Sequence, residues 1–511
     1  MNRAERTAYA AALAALLLAG VLFRSWGVVI GETLDFWADE AWWAELMARV
    51  SLAEFSLRPV GYVWLSQRLV AFGDPELVLR LPSYVAALGT LAFTTASAHR
   101  LFASRVVVLL VVCLVALHPK LIAFAKEFKP YAVEAFVYSA FIYYGLVGRA
   151  RAAVWVGALA ALPFAYNVVF LYPGLAAATL PRWLRERPLA SLLCLAAACV
   201  VVALAAIQIH AALDLGARHA IWGDKYGVFP PPGGTTDTVR WYARATWNLL
   251  RFPAALPTPH ASLSAPLASV CAAVAVFGAW MLARRRRFAL LLLLVGPVAF
   301  AGVANAFEFW PYGAFRTNLF MIPPLALLVG VGMQALMAWS PLRGVVSAAA
   351  LAAIAVWVVA SPGQHRMKQA ADWAPAPQLT QALSAMQSRL RADAEPAANV
   401  IIADWHSWRV FHYYLDFDAR ASYADLRAAA SLVRGPVTGR AALIALLSDA
   451  HREAQARDGV TRVWLVITKL DRFAPVLDDP LVREFAVHRQ AFATHDADYH
   501  PVLVELRIPG R

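Results

Sequence analysis

Asp39 and Glu40 stand side by side in the stretch Leu34-Asp35-Phe36-Trp37-Ala38-Asp39-Glu40-Ala41-Trp42-Trp43, just after the first long apolar run. Carboxylates at a membrane–water boundary are costly and call for a partner or a task. In such a setting they suit a general base that takes a proton from an alcohol or an amine. Adjacent residues on a helix point about 100° apart, so the pair can face one cavity but not one point. The acid is concentrated here: 16 of the chain's 33 acidic residues precede residue 362, and eight of those 16 lie between Glu32 and Glu76. The competing reading is a helix start, with Asp39 as its cap and Glu40 facing its dipole. Asp35 is a further candidate, for substrate contact.

A second set of residues is basic. Lys120, Lys126 and Lys129, with Glu127 and Tyr131 beside them, fill a short connection between two apolar runs. Arg316 closes the stretch Glu308-Phe309-Trp310-Pro311-Tyr312-Gly313-Ala314-Phe315-Arg316, and Arg58 and Arg80 bracket the first loop. Lys225 lies in a later polar stretch with His219, Asp224 and Tyr226. Cations gathered at headgroup level can hold a lipid phosphate. Pro130 can open a helix whose free N–H groups favour an anion nearby. The alternatives are lysines snorkelling from helix ends and ordinary solvated loops. Metal-ligand spacing is poor, with no C-x-x-C and no H-E-x-x-H. His406 and His412 near Asp404 could bind a metal and the outer acids could take up a divalent cation, but no metal ligand is assigned. No Walker loop or dinucleotide fingerprint appears, and a cytoplasmic nucleotide site has no support.

The elements that must position these residues are membrane helices. Of 511 residues, 60% are hydrophobic and 15% charged, against about 25% charged in soluble domains. The net charge of +13 does not point to nucleic acid, because the arginines cluster between apolar runs, as in cytoplasmic loops facing anionic lipid. The four cysteines, Cys113, Cys194, Cys199 and Cys271, lie inside apolar runs and read as small buried hydrophobes. Apolar lengths predict about 11 spans, near 8–30, 79–99, 105–123, 131–148, 152–165, 167–181, 189–212, 264–283, 288–305, 317–338 and 345–361. The pair at 152–181 is interrupted by Pro163 and Asn167 and reads either as two helices or as one broken helix. The first run lacks a nearby cleavage site and reads as an uncleaved helix.

With that count, Arg3 and Arg6, Arg100 and Arg105, Arg149 and Arg151, Arg182 to Arg187, Arg284 to Arg287 and Arg343 all fall on one side, the cytoplasm by the positive-inside rule. The fold class expected is a polytopic α-helical membrane domain over 1–361 with a soluble, extracytoplasmic α/β domain over 362–511. The outer side receives the loop of 31–78, with surface helices at Trp42–Val50 and Tyr62–Phe72, the connection His118–Pro130, the stretch of 213–263, and the tail. In the tail, Asn399–Asp404 and Arg462–Thr468 read as buried strands, with a helix around Ser448–Arg457.

Several motifs in this order resemble the GT-C membrane glycosyltransferases. They are the Asp–Glu pair in the first outer loop, Leu79-Arg80-Leu81-Pro82-Ser83, Ala125-Lys126-Glu127-Phe128-Lys129-Pro130-Tyr131-Ala132, and Phe315-Arg316-Thr317-Asn318-Leu319-Phe320-Met321-Ile322-Pro323. The branch is that of protein O-mannosyltransferases and bacterial aminoarabinose transferases, and the resemblance covers about residues 8–340. It implies a multi-pass enzyme of the bacterial cytoplasmic (inner) membrane, with its N-terminus in the cytoplasm. It implies transfer of a sugar from a polyprenyl-phosphate donor to a lipid, glycan or protein acceptor on the outer face. Asp39 maps to the base and Glu40 to its neighbour. Lys126, Lys129 and Arg316, with Arg58 and Arg80, map to donor phosphate binding, and Asp35, Tyr131, Tyr312 and Lys225 to substrate contacts. Lys129 stands where relatives commonly have Arg, which keeps the charge and loses the bidentate fork. Inverting displacement is expected, with membrane lipids and no nucleic acid as further partners. The alternative class is a transporter or flippase of a lipid-linked sugar, which tends to place its charges at mid-helix in repeated halves. Here the notable charges sit at helix ends and no halves repeat.

Overall fold

A computed structural model describes residues 3–31, 35–49, 59–148, 151–189, 192–193, 196–197, 199–200, 203, 227–231, 233–254, 261–339, 341, 343–371, 376–392, 398–417, 423–432, 439–468, 473–492 and 501–510. Two of the candidate cations, Arg58 and Lys225, lie outside the described residues, as does the stretch from His219 to Tyr226. Contacts divide the chain into two compact units. The first is Met1–Gly31 with Val50–His365, and the second is Glu32–Arg49 with Arg366–Arg511. Helix α1 (Arg3–Ser25) belongs to the first and α2 (Ala38–Arg49) to the second. The boundary therefore differs from a single cut after residue 361. The acidic part of the first loop folds with the tail, because one face of α2 packs on a tail helix.

The first unit is helical. After α3 (Val60–Leu69) come α4 (Pro75–Val78), α5 (Leu81–Leu101), α6 (Arg105–Ala116), α7 (Pro119–Ala125), α8 (Tyr131–Val147), α9 (Arg151–Ala161) and α10 (Tyr172–Glu186). Then follow α11 (Thr235–Arg251), α12 (Ala261–Arg284), α13 (Phe288–Ala306), α14 (Ile322–Met337) and α15 (Arg343–Ala371). Among the described residues six helical stretches are long and apolar enough to cross a membrane, or seven if α6 and α7, bent by 49°, count as one. α8 is apolar but has 17 residues, and α9 and α10, with 11 and 15, are shorter still. The stretch 152–181 is two helices joined by a 3-10 turn, Tyr166–Leu171. The span expected near 189–212 lies mostly outside the described residues. α6 is apolar on every side after Arg105 and is buried from Val107 to Ala116, as a helix with no polar face must be. α12 and α14 cross at glycines: a Cβ on Gly278 would lie 2.5 Å from the carbonyl of Leu328, a close approach that only small residues permit.

The second unit is a three-layer α/β domain. Its sheet has the order β2-β1-β3-β5-β4, made of β1 (Ala398–Ala403), β2 (Ala430–Leu432), β3 (Val460–Ile467), β4 (Ala486–Ala491) and β5 (Val502–Pro509). β1 runs parallel to β2 and β3, and β5 antiparallel to β3 and β4. Alternation along the strands sends Val463, Leu465, Val504 and Leu506 to one face, where Leu443, Leu447 and Ala450 of a helix over Arg440–Gln455 cover them. The other face carries Arg462 and Glu505, paired at 3.0 Å, and Glu505 also meets Arg389 at 3.2 Å. Arg389 lies on α16 (Ala376–Ala392), a helix that packs against α17 (Trp405–His412). The strands at 399–404 and 462–468 are thus present, each within two residues of its expected limits.

Candidate active site

In the first unit the basic connection is built on a broken helix. Pro119 has no N–H, so the carbonyl of Val115 loses its partner four residues on. The N–H of Lys120, which would serve Ala116, goes instead to Nδ1 of His118 at 3.2 Å. Arg24, at the end of α1 and fully buried, fills both gaps: Nη2 donates to Val115 O at 2.8 Å and Nη1 to Ala116 O at 2.7 Å. A cation at the C-terminal end of α6 also answers its dipole. His118 caps α7. Since Nδ1 accepts, the ring proton sits on Nε2, which donates to the carbonyl of Phe252 at 2.9 Å.

The turn after α7 is held from below. Ser83 donates to the carbonyl of Lys129 at 2.8 Å, the N–H of Lys129 donates to Glu127 O at 2.8 Å, and the Tyr62 ring stacks on Phe128. This packing buries Lys126 (7% exposed), Glu127 and Lys129, a rare state for charged side chains unless paired. Among the described residues no carboxylate pairs with Lys126, and Arg24 lies near enough to repel it. Arg80, also buried, starts α5 close by in sequence to Ser83. Tyr131 begins α8 with its ring edge-on to Phe124.

Two buried asparagines set the loop that leads to Arg316. Asn305 Nδ2 donates to the carbonyls of Val228 (2.9 Å) and Trp310 (2.8 Å), and its Oδ1 accepts from Tyr242 at 2.9 Å. Asn318 Nδ2 donates to Pro311 O and Gly313 O, and its Oδ1 accepts from Trp310 Nε1 at 2.8 Å. Between them Tyr312 is buried, hydrogen-bonded to Thr246 at 2.9 Å. Arg316 opens a 3-10 turn, Arg316–Met321, with its guanidinium 5.6 Å from the Phe315 ring.

The acidic candidates belong to the second unit. α2 sets Asp39, Trp42 and Glu45 three residues apart on one face, and α17 sets Trp405, Arg409 and His412 on one face at spacings of four and three. The two faces mate. Arg409 meets Asp39 Oδ1 at 3.7 Å and His412 Nε2 meets Glu45 Oε1 at 3.3 Å. The Arg409 guanidinium lies 4.3 Å from the Trp42 ring and 3.8 Å from that of Trp405, within cation–π range. Burial lowers the Arg409 pKa to about 10, against the opposing pull of Asp39 and Glu45, so it stays charged at neutral pH. The hydrogen bond to Glu45 raises that of His412, and Asp416, 2.7 Å away, adds to it. Upstream of α2, Asp35 Oδ2 accepts from Thr380 at 2.7 Å, and the Phe36 N–H donates to the Tyr414 hydroxyl at 2.7 Å. Glu40 is buried. Asp404 is the cap of α17, accepting from Ser407 and from the Thr468 N–H.

Lys126, Lys129, Arg80, Tyr131, Tyr312 and Arg316 thus fall in one unit, and Asp35, Asp39 and Glu40 in the other. Sequence reasoning missed Arg24 and Arg409, and marked His412 only as a possible metal ligand, where the structure pairs it with Glu45. A charge inside an apolar run was the available signal for Arg24. Nothing local marks the contacts that Arg409 and His412 make with α2, which join residues more than 360 apart.

No family model and no curated protein sequence matches this chain. Among solved structures the chain is similar to ArnT from Cupriavidus metallidurans in the apo state, at a TM-score of 0.49 and 11% identity over 98% of both chains. It is similar also to ArnT from Cupriavidus metallidurans bound to undecaprenyl phosphate, at a TM-score of 0.48 and 11% identity over 99% of this chain and 98% of that one.

Proposed function

We propose that this chain is a GT-C-type membrane glycosyltransferase that moves a sugar from a polyprenyl-phosphate donor to an acceptor on the outer face of the bacterial inner membrane. The observation that carries the reading is Lys126: a buried ammonium with no carboxylate partner among the described residues, set beside a second buried cation, Arg24. A charge held this way is strongly destabilising alone and asks for an anion. The motif around it, Lys126-Glu127-Phe128-Lys129-Pro130-Tyr131, is the one that resembles the family.

In this reading Lys126 and Lys129, with Arg80, Arg316 and Arg58, bind the donor phosphate and stabilise the charge that develops as it leaves. Asp39 is the base. The acceptor O–H or N–H proton passes to Asp39, and the acceptor atom bonds the anomeric carbon. The bond from that carbon to the phosphate oxygen breaks, its electron pair staying on the phosphate. One displacement inverts the centre, and no acid is required because the leaving group departs as an anion. Glu40 is assigned to the catalytic pair as the neighbour of the base, and Asp35, Tyr131, Tyr312 and Lys225 to substrate contacts. The N-terminus is cytoplasmic, and the loop after α1 and the C-terminal unit are extracytoplasmic.

Mass spectrometry of lipids that co-purify with the protein tests this. A polyprenyl-phosphate sugar should be present and should become polyprenyl phosphate when sugar acceptors are added. A donor that stays intact with every acceptor, but changes leaflet in proteoliposomes, would make the protein a flippase instead.

A further inference from the structure

Asp39 is not held by α2 alone. The faces of α2 and α17 form a short ladder in which Asp39 meets Arg409, Trp42 and Trp405 crowd the same guanidinium, and Glu45 meets His412. All of these residues belong to the second unit. Arg409 has few other ways to point. Its side chain is 14% exposed, and a guanidinium directs all its N–H donors within one plane. Indole faces attract the cation but offer it no hydrogen-bond acceptor, so the strong acceptors left to its edges are carboxylates. The rung below fixes the helix pair in register, since His412 bonds Glu45 on one ring nitrogen and Asp416 on the other.

We propose that Arg409 is a positioning residue for Asp39: the C-terminal domain, through this one side chain, fixes the direction in which the carboxylate presents its oxygens to the acceptor. This rests on the reading of Asp39 as the base. A base works only within hydrogen-bond reach of the proton it takes, and a misplacement of about 1 Å can lower a rate on the order of 100-fold. Arg409 itself touches neither donor nor acceptor in this scheme. It acts through Asp39, and its loss should appear in kcat while donor binding stays as it was.

The test is steady-state transfer by the full-length protein in detergent or nanodiscs, with a synthetic polyprenyl-phosphate sugar as the varied substrate. Arg409→Gln is expected to lower kcat on the order of 10- to 100-fold, with the KM for the donor changed less than about twofold. Arg409→Lys should recover part of the rate, because it keeps the charge and loses the fork. Asp39→Asn is run beside them. If Asp39→Asn is inactive while folded Arg409→Gln keeps the wild-type kcat, this inference is overturned and the base assignment stands. If Asp39→Asn is fully active, the base assignment itself falls and Arg409 goes with it. Should Arg409→Gln fail to fold, Arg409→Lys decides alone: a kcat lowered several-fold at unchanged KM supports the proposal, and a wild-type kcat refutes it.

Discussion

Arg24 stands in for the missing N–H of Pro119. Its guanidinium supplies Val115 with the hydrogen bond that a proline four residues on cannot donate, and it does so from a different helix. The bend of 49° between α6 and α7 is therefore a built joint, and the buried cations of the connection hang from it.

Replacing Arg24 by Met should strand two buried carbonyls and destabilise the protein by roughly 2–4 kcal/mol. Pro119→Ala restores a backbone donor and should offset part of that loss, so the two changes are expected to couple by about 1 kcal/mol. Thermal unfolding of the four members of the cycle in one detergent measures this. Strict additivity would mean that Arg24 does not serve the carbonyl Pro119 leaves open.

Lys126→Met should divide stability from function. Removing a buried charge that Arg24 repels is expected to raise stability by about 1 kcal/mol. The same change should raise the donor KM at least about 10-fold, because an anion loses its counter-charge. A lower melting temperature together with unchanged donor saturation would count against the phosphate assignment.

Asp39→Asn keeps the shape and leaves Arg409 an amide oxygen in place of the carboxylate, but it cannot take a proton. Sugar transfer should fall by about 100-fold or more, with expression and melting temperature close to wild type. Glu40→Gln, at the buried neighbour, should cost stability as well as rate, and the ratio of the two effects distinguishes the roles.

The contact of His412 with Glu45 depends on pH with a definite sign. The folded state raises the His412 pKa, chiefly through its hydrogen bond to Glu45. The stabilisation is therefore present in full below the ordinary histidine value of about 6.5 and is lost as pH climbs past the raised value. Limited proteolysis within the α2 segment should accelerate above neutral pH in the wild type. In His412→Gln it should be fast at every pH, with no step.

Asn305→Leu should leave the carbonyls of Val228 and Trp310 and the hydroxyl of Tyr242 unmatched, at roughly 2–4 kcal/mol. The loop carrying Arg316 would lose its anchor, so donor KM should rise along with the fall in melting temperature. An unchanged KM would separate Arg316 from the donor site.

How much of this was legible in the sequence follows from how local each cause is. The strands β1 and β3 announce themselves as continuous apolar runs, and α3 and α8 by their spacing and flanking prolines. The 105–123 run reads as a single span because Pro119 near its end is also a common helix opener, and only the fold shows Arg24 arriving from α1. Asp39 was visible as a carboxylate in the wrong solvent. Its neighbour Arg409 was not, since an exposed-looking arginine among tryptophans in a soluble tail has no periodic mark. The expected membrane domain of 1–361 includes the whole first loop, whereas the pattern Asp39, Trp42, Glu45 matches a face of α17 instead.

That match has a consequence for how the molecule is made. Asp39 precedes Arg409 by 370 residues, which at ribosomal speeds of about 5–20 residues per second is a wait of roughly 20 to 70 s. Through that interval α2 has left the ribosome and its partner helix does not yet exist. The carboxylate proposed as the base reaches its working arrangement only when nearly four-fifths of the chain has been translated, so a nascent or prematurely terminated protein carries the residue without the means to aim it.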